Sequence, residues 1–296
     1  MSKALEKRKI GSMNQEVTFI GFGALSIGRD WGLADKQRPD EKEAGIVMNS
    51  VLDLGINLID TASAYHRSEE RIGNSISSRR NEYVLASKCG EHNEEPGTFY
   101  DFSYNAIKES IDRSLTLLKT DVIDLMQIHF GPDPEKVITD GETVRAMKDA
   151  QKEGKIRYLG ASIDGELARQ CILSGDFDVM QMEYHLLNQQ NVDNIKLGQE
   201  KGLGVFIRTG LGRGLLTAKA LQAEVKPTKL QQLLELVNND GDLLSTLALN
   251  FLYENKGISS VLIGTKNLEH FKKNIELLEK DFDKELLIKA IEIGKN

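Results

Sequence analysis

Four ionisable residues stand at or just past the ends of short apolar runs. Asp60 closes Asn57–Asp60, Lys88 closes Tyr83–Lys88, His129 closes Val122–His129, and Tyr65 lies five residues beyond Asp60. A charge buried at the end of an apolar strand costs several kcal/mol unless it is paired. One such residue is explained by an ion pair at a rim; four together point to chemistry. Their types form a consistent acid system. A phenol titrates near pH ~10 when free, and an adjacent ammonium lowers that value toward acid–base use at neutral pH. A carboxylate keeps the lysine charged and in place, and a histidine at the same mouth can hydrogen-bond a carbonyl oxygen. Such a set protonates a carbonyl as negative charge develops on its oxygen. Ser162, Gln181 with Tyr184, and Arg208 end three further runs.

The elements that must position these residues follow from periodicity. Eight runs read as strands: Phe19–Leu25, Asn57–Asp60, Tyr83–Lys88, Val122–His129, Ile156–Ser162, Asp178–Tyr184, Gly204–Thr209 and Ser260–Gly264. Between them lie stretches of helical period. Glu41–Leu54 repeats Ala44, Val47, Met48, Val51 and Leu54 at three- and four-residue steps, which is one face of a helix. Tyr104–Leu118, Glu142–Lys152 and Asp242–Glu254 read the same way. Gly55, Gly154, Gly202 and Gly257 stand where such helices should end. Strand–helix alternation specifies a parallel sheet covered by helices, and eight units favour an α/β fold of the (β/α)8 TIM-barrel type. Arg8–Val17 reads as an N-terminal β-hairpin capping the barrel bottom. Gly21-Phe-Gly23 is not followed by a third glycine at the spacing of a dinucleotide fingerprint, which argues against a Rossmann-type site there. Residues 1–296 read as a single domain. The polar stretches Arg29–Asp40 and Glu91–Asp101 each follow a strand and read as loops over the mouth.

Composition narrows the function classes. A net charge of -7 argues against a phosphate-binding nucleic-acid surface, and Lys7-Arg8-Lys9 reads as a solvated strand edge. The two cysteines, Cys89 and Cys171, do not make a disulfide framework and suit a reducing compartment. No apolar run approaches the ~18–20 residues of a membrane span, and the N-terminus lacks a signal-peptide core, so the expected location is cytoplasmic. No His, Asp or Glu set has metal-ligand spacing. Cys89 alternates away from the face of Lys88 and reads as structural, and Met180 and Met182 read as barrel–helix packing.

Asp60-Thr-Ala-Ser-Ala-Tyr65-His-Arg-Ser68-Glu69-Glu-Arg-Ile-Gly73 resembles the aldo-keto reductase signature D-T-A-x-x-Y-G-x-S-E-x-x-[LI]-G, with His66 in place of the glycine after the tyrosine. Further segments resemble the family in order: Leu85–Lys88, Leu125–His129, Gly154–Ser162, Leu211–Leu216 and Gly264–Asn274. The resemblance implies an NADPH-dependent reduction of an aldehyde or ketone by hydride transfer. Tyr65 is then the general acid, Lys88 and Asp60 tune it, and His129 orients the carbonyl. It places the cofactor against Gly23, Ala24, Ser162, Gln181, Arg208, Thr209, Leu211, Gly212, Gly264, Thr265, Lys266, His270 and Asn274.

The departures carry their own readings. Ile163 stands where an asparagine often assists Ser162 in holding the carboxamide. Arg208 stands where an aromatic ring often stacks on the nicotinamide; a planar guanidinium can stack, and a rim salt bridge is the alternative. Lys266 suits a 2′-phosphate and favours NADP(H) over NAD(H), although His270 replaces the usual arginine or glutamine partner. Asn274 fits the residue that meets adenine. Trp31, His66, Phe99 and Phe130 are candidates for the substrate mouth, with Tyr100 beside them, and His66 is the first place to look for specificity. Arg29, Arg67 and Arg213 suit an anionic or hydroxyl-rich substrate. The same residues serve an NAD(P)-dependent sugar or polyol dehydrogenase, and a non-catalytic cofactor-binding regulatory subunit is the reading of a different class. The partner is a small carbonyl or sugar, with no nucleic acid and no membrane.

Overall fold

The computed structural model describes residues 2–31 and 37–295. The middle of the Arg29–Asp40 stretch therefore lies outside the described residues. Twelve strands are present among the described residues: β1 (Lys7–Lys9), β2 (Glu16–Thr18), β3 (Ile20–Gly23), β4 (Leu58–Asp60), β5 (Val84–Cys89), β6 (Glu91–Glu94), β7 (Gly97–Tyr100), β8 (Ile123–His129), β9 (Ile156–Ser162), β10 (Val179–Glu183), β11 (Gly204–Arg208) and β12 (Ser260–Gly264). Eight of them close a barrel in the order β10-β11-β12-β3-β4-β5-β8-β9, every pair parallel. This is the (β/α)8 TIM barrel that the alternation specifies. β1 and β2 form the expected antiparallel hairpin.

The two-residue period of a strand divides the apolar residues into two sets. Ile59, Leu85, Met126, Ile128, Met180, Met182, Val205, Ile207, Val261 and Ile263 face outward into the layer beneath the helices, together with Cys89 and Ala161. Leu58, Val84, Ala86, Leu125, Val179, Phe206 and Leu262 face inward, where Ile10, Met13 and Val17 of the hairpin join them and plug the bottom. The inward series continues up each strand into polar residues: Leu58 to Asp60, Ala86 to Lys88, Leu125 to Gln127 and His129, Val179 to Gln181 and Glu183, Phe206 to Arg208. The lower half of the barrel is thus a sealed apolar plug and the upper half a polar layer.

Local signals set the helices. Glu41–Asp53 begins at a capping box in which Glu43 N donates to Asp40 Oδ1 (2.7 Å) and Asp40 N donates to Glu43 Oε2 (3.0 Å); such a cap contributes about 1 kcal/mol. Gly55, Gly154 and Gly202 end their helices at positive φ, as left-handed caps do. Gly257 does not cap its helix, which closes at Glu254 and leaves through an extended Asn255.

Two expectations are corrected. Arg8 is not a solvated edge: its guanidinium lies 4.4 Å from the Phe19 ring centroid and 4.8 Å from that of Tyr253, and it donates to Tyr253 O and Ile258 O. Glu91–Asp101 is not an irregular loop but the antiparallel hairpin β6–β7. Hydrophobic alternation could not reveal it, because its strands carry few apolar residues. It is held by the backbone ladder and by the cross-strand pair His92–Phe99, stacked at 5.0 Å between ring centroids.

Candidate active site

The upper polar layer is built around Asp60. Its Oδ2 lies 2.5 Å from Lys88 Nζ, and its Oδ1 accepts from Gln127 Nε2 (3.0 Å) and Gln181 Nε2 (2.9 Å). The two amides are joined through Gln181 Nε2 to Gln127 Oε1 at 3.1 Å. Lys88 Nζ also donates to Thr61 O at 2.9 Å. Asp60, Lys88, Gln127 and Gln181 are all buried, so each polar group needs a partner, and the set supplies one. Burial works most strongly against the Lys88 ammonium, but Asp60 and Tyr65 together outweigh it and its pKa is raised.

Tyr65 reaches this pair from the turn after β4. Lys88 Nζ lies 5.1 Å from its ring centroid, and the His129 ring meets it edge-on at 5.9 Å. The structure thereby brings together the four residues read from the sequence. Tyr65 itself behaves differently from the expectation. Burial raises its phenol above the ordinary value, Lys88 pulls it down, Asp60 pushes it up again, and the net direction is upward. The lysine moderates the burial effect without overcoming it.

The turn that carries Tyr65 is fixed by the residues around it. Thr61 Oγ1 donates to Ser68 Oγ and Ser68 Oγ donates to Ala24 O, both at 2.9 Å. Ser87 Oγ donates to Glu69 Oε1 at 2.6 Å, and burial raises the Glu69 carboxyl. Gly73 lets the helix Ser68–Ile76 approach its neighbour, for a Cβ there would stand 2.1 Å from Leu117 O. The Thr, Ser, Glu and Gly of the signature act here as scaffolding for the tyrosine.

His129 has two distinct edges. Nδ1 is buried and lies 2.9 Å from Glu91 Oε2, with the carboxylate off the line of the N–H bond. Nε2 makes no hydrogen bond among the described residues. Glu91 also accepts from Thr98 Oγ1 at 2.6 Å and stands 4.0 Å from Arg29 Nη1. Burial raises its carboxyl, but His129 and Thr98 lower it further, so it sits below the usual carboxylate range.

The residues assigned to the cofactor lie around the same rim. Gly23 and Gly264 are register partners, and a Cβ at 264 would stand 3.1 Å from Gly23 O. The rim between β3 and β12 is therefore bare backbone, a surface on which a planar ring or a phosphate chain can lie. Ala24 is buried and its N–H donates to Asp60 O at 2.8 Å. Ser162 is the register partner of both His129 and Gln181. Thr209 and Gly212 turn at positive φ, closed by Gly212 N to Thr209 O and Leu216 N to Leu211 O. Thr265 Oγ1 accepts from Asn267 N at 3.0 Å, and Lys266 Nζ donates to Gln37 O. His270 is exposed and Asn274 half-buried, one turn apart on the helix Leu268–Glu279.

Arg208 forms the rim salt bridge that was the alternative reading, pairing with Asp164 and, at 3.3 Å, with Glu183 Oε2. A hydrogen bond from His185, opposed by burial and helped by Asn188 and Arg208, holds the Glu183 carboxyl down at about 2. This pairing holds the guanidinium against two carboxylates. Tyr184 belongs to the packing, stacked on Phe251 at 4.9 Å. Trp31 and Phe99 are exposed at the mouth, 49% and 45%, whereas Phe130 packs against the outer core. His66 takes a left-handed φ of 48°, the conformation for which glycine is the usual choice. Arg213 reaches Glu183 only at 3.9 Å, and Arg67 pairs with Glu41 and Glu70.

Sequence reasoning missed Gln127, Glu91, Asp164 and Glu183. Gln127 had a signal, since it lies two residues before His129 and so on the same strand face. Glu183 had the same kind of signal, two residues after Gln181 on one strand, whereas Glu91 and Asp164 sat in polar segments where nothing distinguished them from solvated charge. No cluster of His, Cys, Asp or Glu suited to a metal occurs among the described residues, and no described helix is long and apolar enough to cross a membrane.

Residues 19–292 match the model of the aldo/keto reductase family. The chain belongs to that family. This aldo-keto reductase is an oxidoreductase dependent on a nicotinamide cofactor. It is 29% identical to the oxidoreductase YqkF of Bacillus subtilis (strain 168), over 92% of this chain and 90% of that one. It is 28% identical to the L-galactose dehydrogenase of Arabidopsis thaliana (92% and 87% covered) and 26% identical to the NADH-specific methylglyoxal reductase of Escherichia coli (strain K12) (93% and 94%). The holo form of an aldo-keto reductase from Bacillus halodurans superposes with a TM-score of 0.81 at 29% identity, covering 98% of this chain and 96% of that one.

Proposed function

We propose that residues 1–296 act as one barrel domain that reduces an aldehyde or ketone to an alcohol, with Tyr65 as general acid and NADPH as preferred cofactor. The observation that carries this reading is the convergence of Tyr65, Lys88, Asp60 and His129 in one layer at the strand ends, with Asp60 and Lys88 buried beneath the other two. The nicotinamide, when bound, supplies hydride to the carbonyl carbon. The rest is done by this chain. Bare backbone at Gly23 and Gly264 leaves room for the cofactor, with Ser162, Arg208 and the Thr209–Gly212 turn beside it. Gln181 directs its amide nitrogen to Asp60, so its oxygen is the end left for a carboxamide.

The raised phenol favours reduction over the reverse reaction. A tyrosine protonated at neutral pH donates to a carbonyl oxygen without first gaining a proton. In the dehydrogenase direction it would have to act as phenolate, which burial disfavours. Oxidation of a freed reduced cofactor is the direct test: NADPH with a panel of aldehydes and ketones, followed by the loss of its absorbance. Absence of turnover on every carbonyl, with cofactor bound, would instead identify a regulatory subunit.

Lys266 carries the cofactor preference. It reaches Gln37 across the rim, at the start of the helix that also bears His270 and Asn274. A lysine at a 2′-phosphate contributes a charge-assisted contact of about 1.5–3 kcal/mol. Lys266→Ala is therefore expected to raise the Kd for NADPH by about tenfold or more and leave NADH binding nearly unchanged. Titration of cofactor fluorescence measures both, and equal losses would refute the assignment.

A further inference from the structure

Arg29 stands directly beside the turn that carries Tyr65. We propose that it is a specificity-determining residue, and that the carbonyl compound reduced here bears a carboxylate held by the Arg29 guanidinium. The inference rests on the carbonyl-reductase reading of the site, which it deepens by naming the substrate class.

The place of Arg29 follows from the barrel order. β3, β4, β5 and β8 are successive neighbours; Arg29 follows β3, Tyr65 follows β4, Glu91 follows β5 and His129 ends β8. Gly28 packs on the tyrosine turn so closely that a Cβ there would stand 2.2 Å from Tyr65 O. From the next residue, the Arg29 side chain crosses the β4 sector and reaches to 4.0 Å from Glu91 Oε1. The second oxygen of that carboxylate lies 2.9 Å from His129 Nδ1. The guanidinium therefore overhangs the sector of the mouth where the Tyr65 and His129 rings meet. Its root is fixed, because Arg29 N donates to Leu25 O (2.9 Å) and Arg38 Nη1 donates to Gly28 O (3.0 Å).

This guanidinium has donors to spare. Its side chain is 27% exposed, and among the described residues it donates no hydrogen bond. Glu91 faces Nη1 from beyond hydrogen-bond reach, and its Oε1 accepts from Thr98 Oγ1 at 2.6 Å. Largely covered N–H groups without acceptors are costly, and an anion in the mouth would satisfy them. The other arginines near the mouth are engaged: Arg38 with Glu95 at 2.6 Å, Arg67 with Glu70 at 2.9 Å, and Arg208 with Asp164 and Glu183. Arg213 is 64% exposed and leans toward Glu183. A guanidinium fork matches the two oxygens of a carboxylate. One such cation balances a carboxylate, whereas a phosphate dianion calls for a second. Glu91 completes the selection by sign. It repels an anion from the His129 side, so the neutral carbonyl end goes to Tyr65 and His129 and the charged end to the open edge of Arg29.

Short aldehydes of increasing length, each as the terminal carboxylate and as its methyl ester, separate charge from shape. With NADPH, kcat/KM for the best carboxylate should exceed that for its ester by about tenfold or more in the wild type, as a charge-assisted contact provides. Arg29→Gln should lower this ratio about tenfold to a hundredfold, and Arg29→Lys, which keeps the charge without the fork, should lower it less. The change should fall on KM, because ground and transition states share the contact. Succinate, which has no reducible carbonyl, gives a reading independent of turnover. Its Kd for the NADPH complex, measured by calorimetry, should rise about tenfold or more in Arg29→Gln. An ester as good as its acid in the wild type, a ratio unchanged in Arg29→Gln, or succinate that fails to bind or binds both proteins equally would overturn the proposal. If no carbonyl turns over, the function reading fails while the succinate titration still decides this one.

Discussion

Replacing Tyr65 by phenylalanine is expected to lower kcat/KM for carbonyl reduction by about a hundredfold to ten-thousandfold, the range supplied by a positioned proton donor. The ring would remain edge-on to His129 and beneath Lys88, so folding and cofactor affinity should hold while the proton is lost. The loss should fall on kcat, because the hydroxyl acts on an oxygen that becomes basic only as hydride arrives. The upward direction of the phenol adds a pH signature. A group that titrates above the ordinary value of 10.0 stays protonated throughout the neutral range, so no decline in reduction between pH 6 and 9 should belong to Tyr65. Any decline there must come from another group. Steady-state rates of wild type and Tyr65→Phe across that range test both statements. A variant that retains more than a tenth of wild-type kcat/KM would remove Tyr65 from the role of acid.

What the sequence disclosed followed from periods. Short apolar runs separated by helical stretches disclosed the eight barrel strands to within a residue or two, and the polar residues at or near the ends of six of them disclosed the upper layer. Two kinds of feature escaped. The β6–β7 hairpin has no apolar face, so its order comes from backbone pairing and from the stacked His92–Phe99 rings, neither of which hydropathy registers. Glu91, Asp164 and Glu183 act on residues far away in the chain: on His129, 38 positions on, and on Arg208, 44 and 25 positions on. A carboxylate in a polar segment looks the same whether it faces water or a buried partner. The effect of burial on Tyr65 was hidden for a related reason. Sequence names the ammonium beside the phenol, but only packing tells how much desolvation that ammonium must overcome.

Asp60 is the residue whose removal should do most damage to the fold and the chemistry together. Its two oxygens satisfy Lys88, Gln127 and Gln181, all within the sealed upper layer. Asp60→Leu would leave a buried ammonium with only Thr61 O and the uncharged Tyr65 hydroxyl as partners, and two amide N–H groups facing hydrocarbon. Breaking a buried pair from one side destabilises by about 3–5 kcal/mol, read as a lower urea midpoint at unchanged m. Burial acting alone on Lys88 would also favour loss of its proton, so the phenolate that forms as Tyr65 gives up its proton would meet no opposing charge and reduction should fail as well. Lys88→Met is expected to abolish the same activity by a gentler structural route, because the Asp60 carboxylate keeps its two amide donors. The double variant Asp60→Leu/Lys88→Met separates the two functions of the pair. It removes the stranded cation, so it should regain stability relative to Asp60→Leu by about 0.5–3 kcal/mol while remaining inactive. A double variant no more stable than Asp60→Leu would show that the ion pair is not what couples these residues. Recovery of stability without recovery of turnover would show that the barrel tolerates a hydrocarbon layer here, and that the buried charge is kept for the proton it delivers through Tyr65.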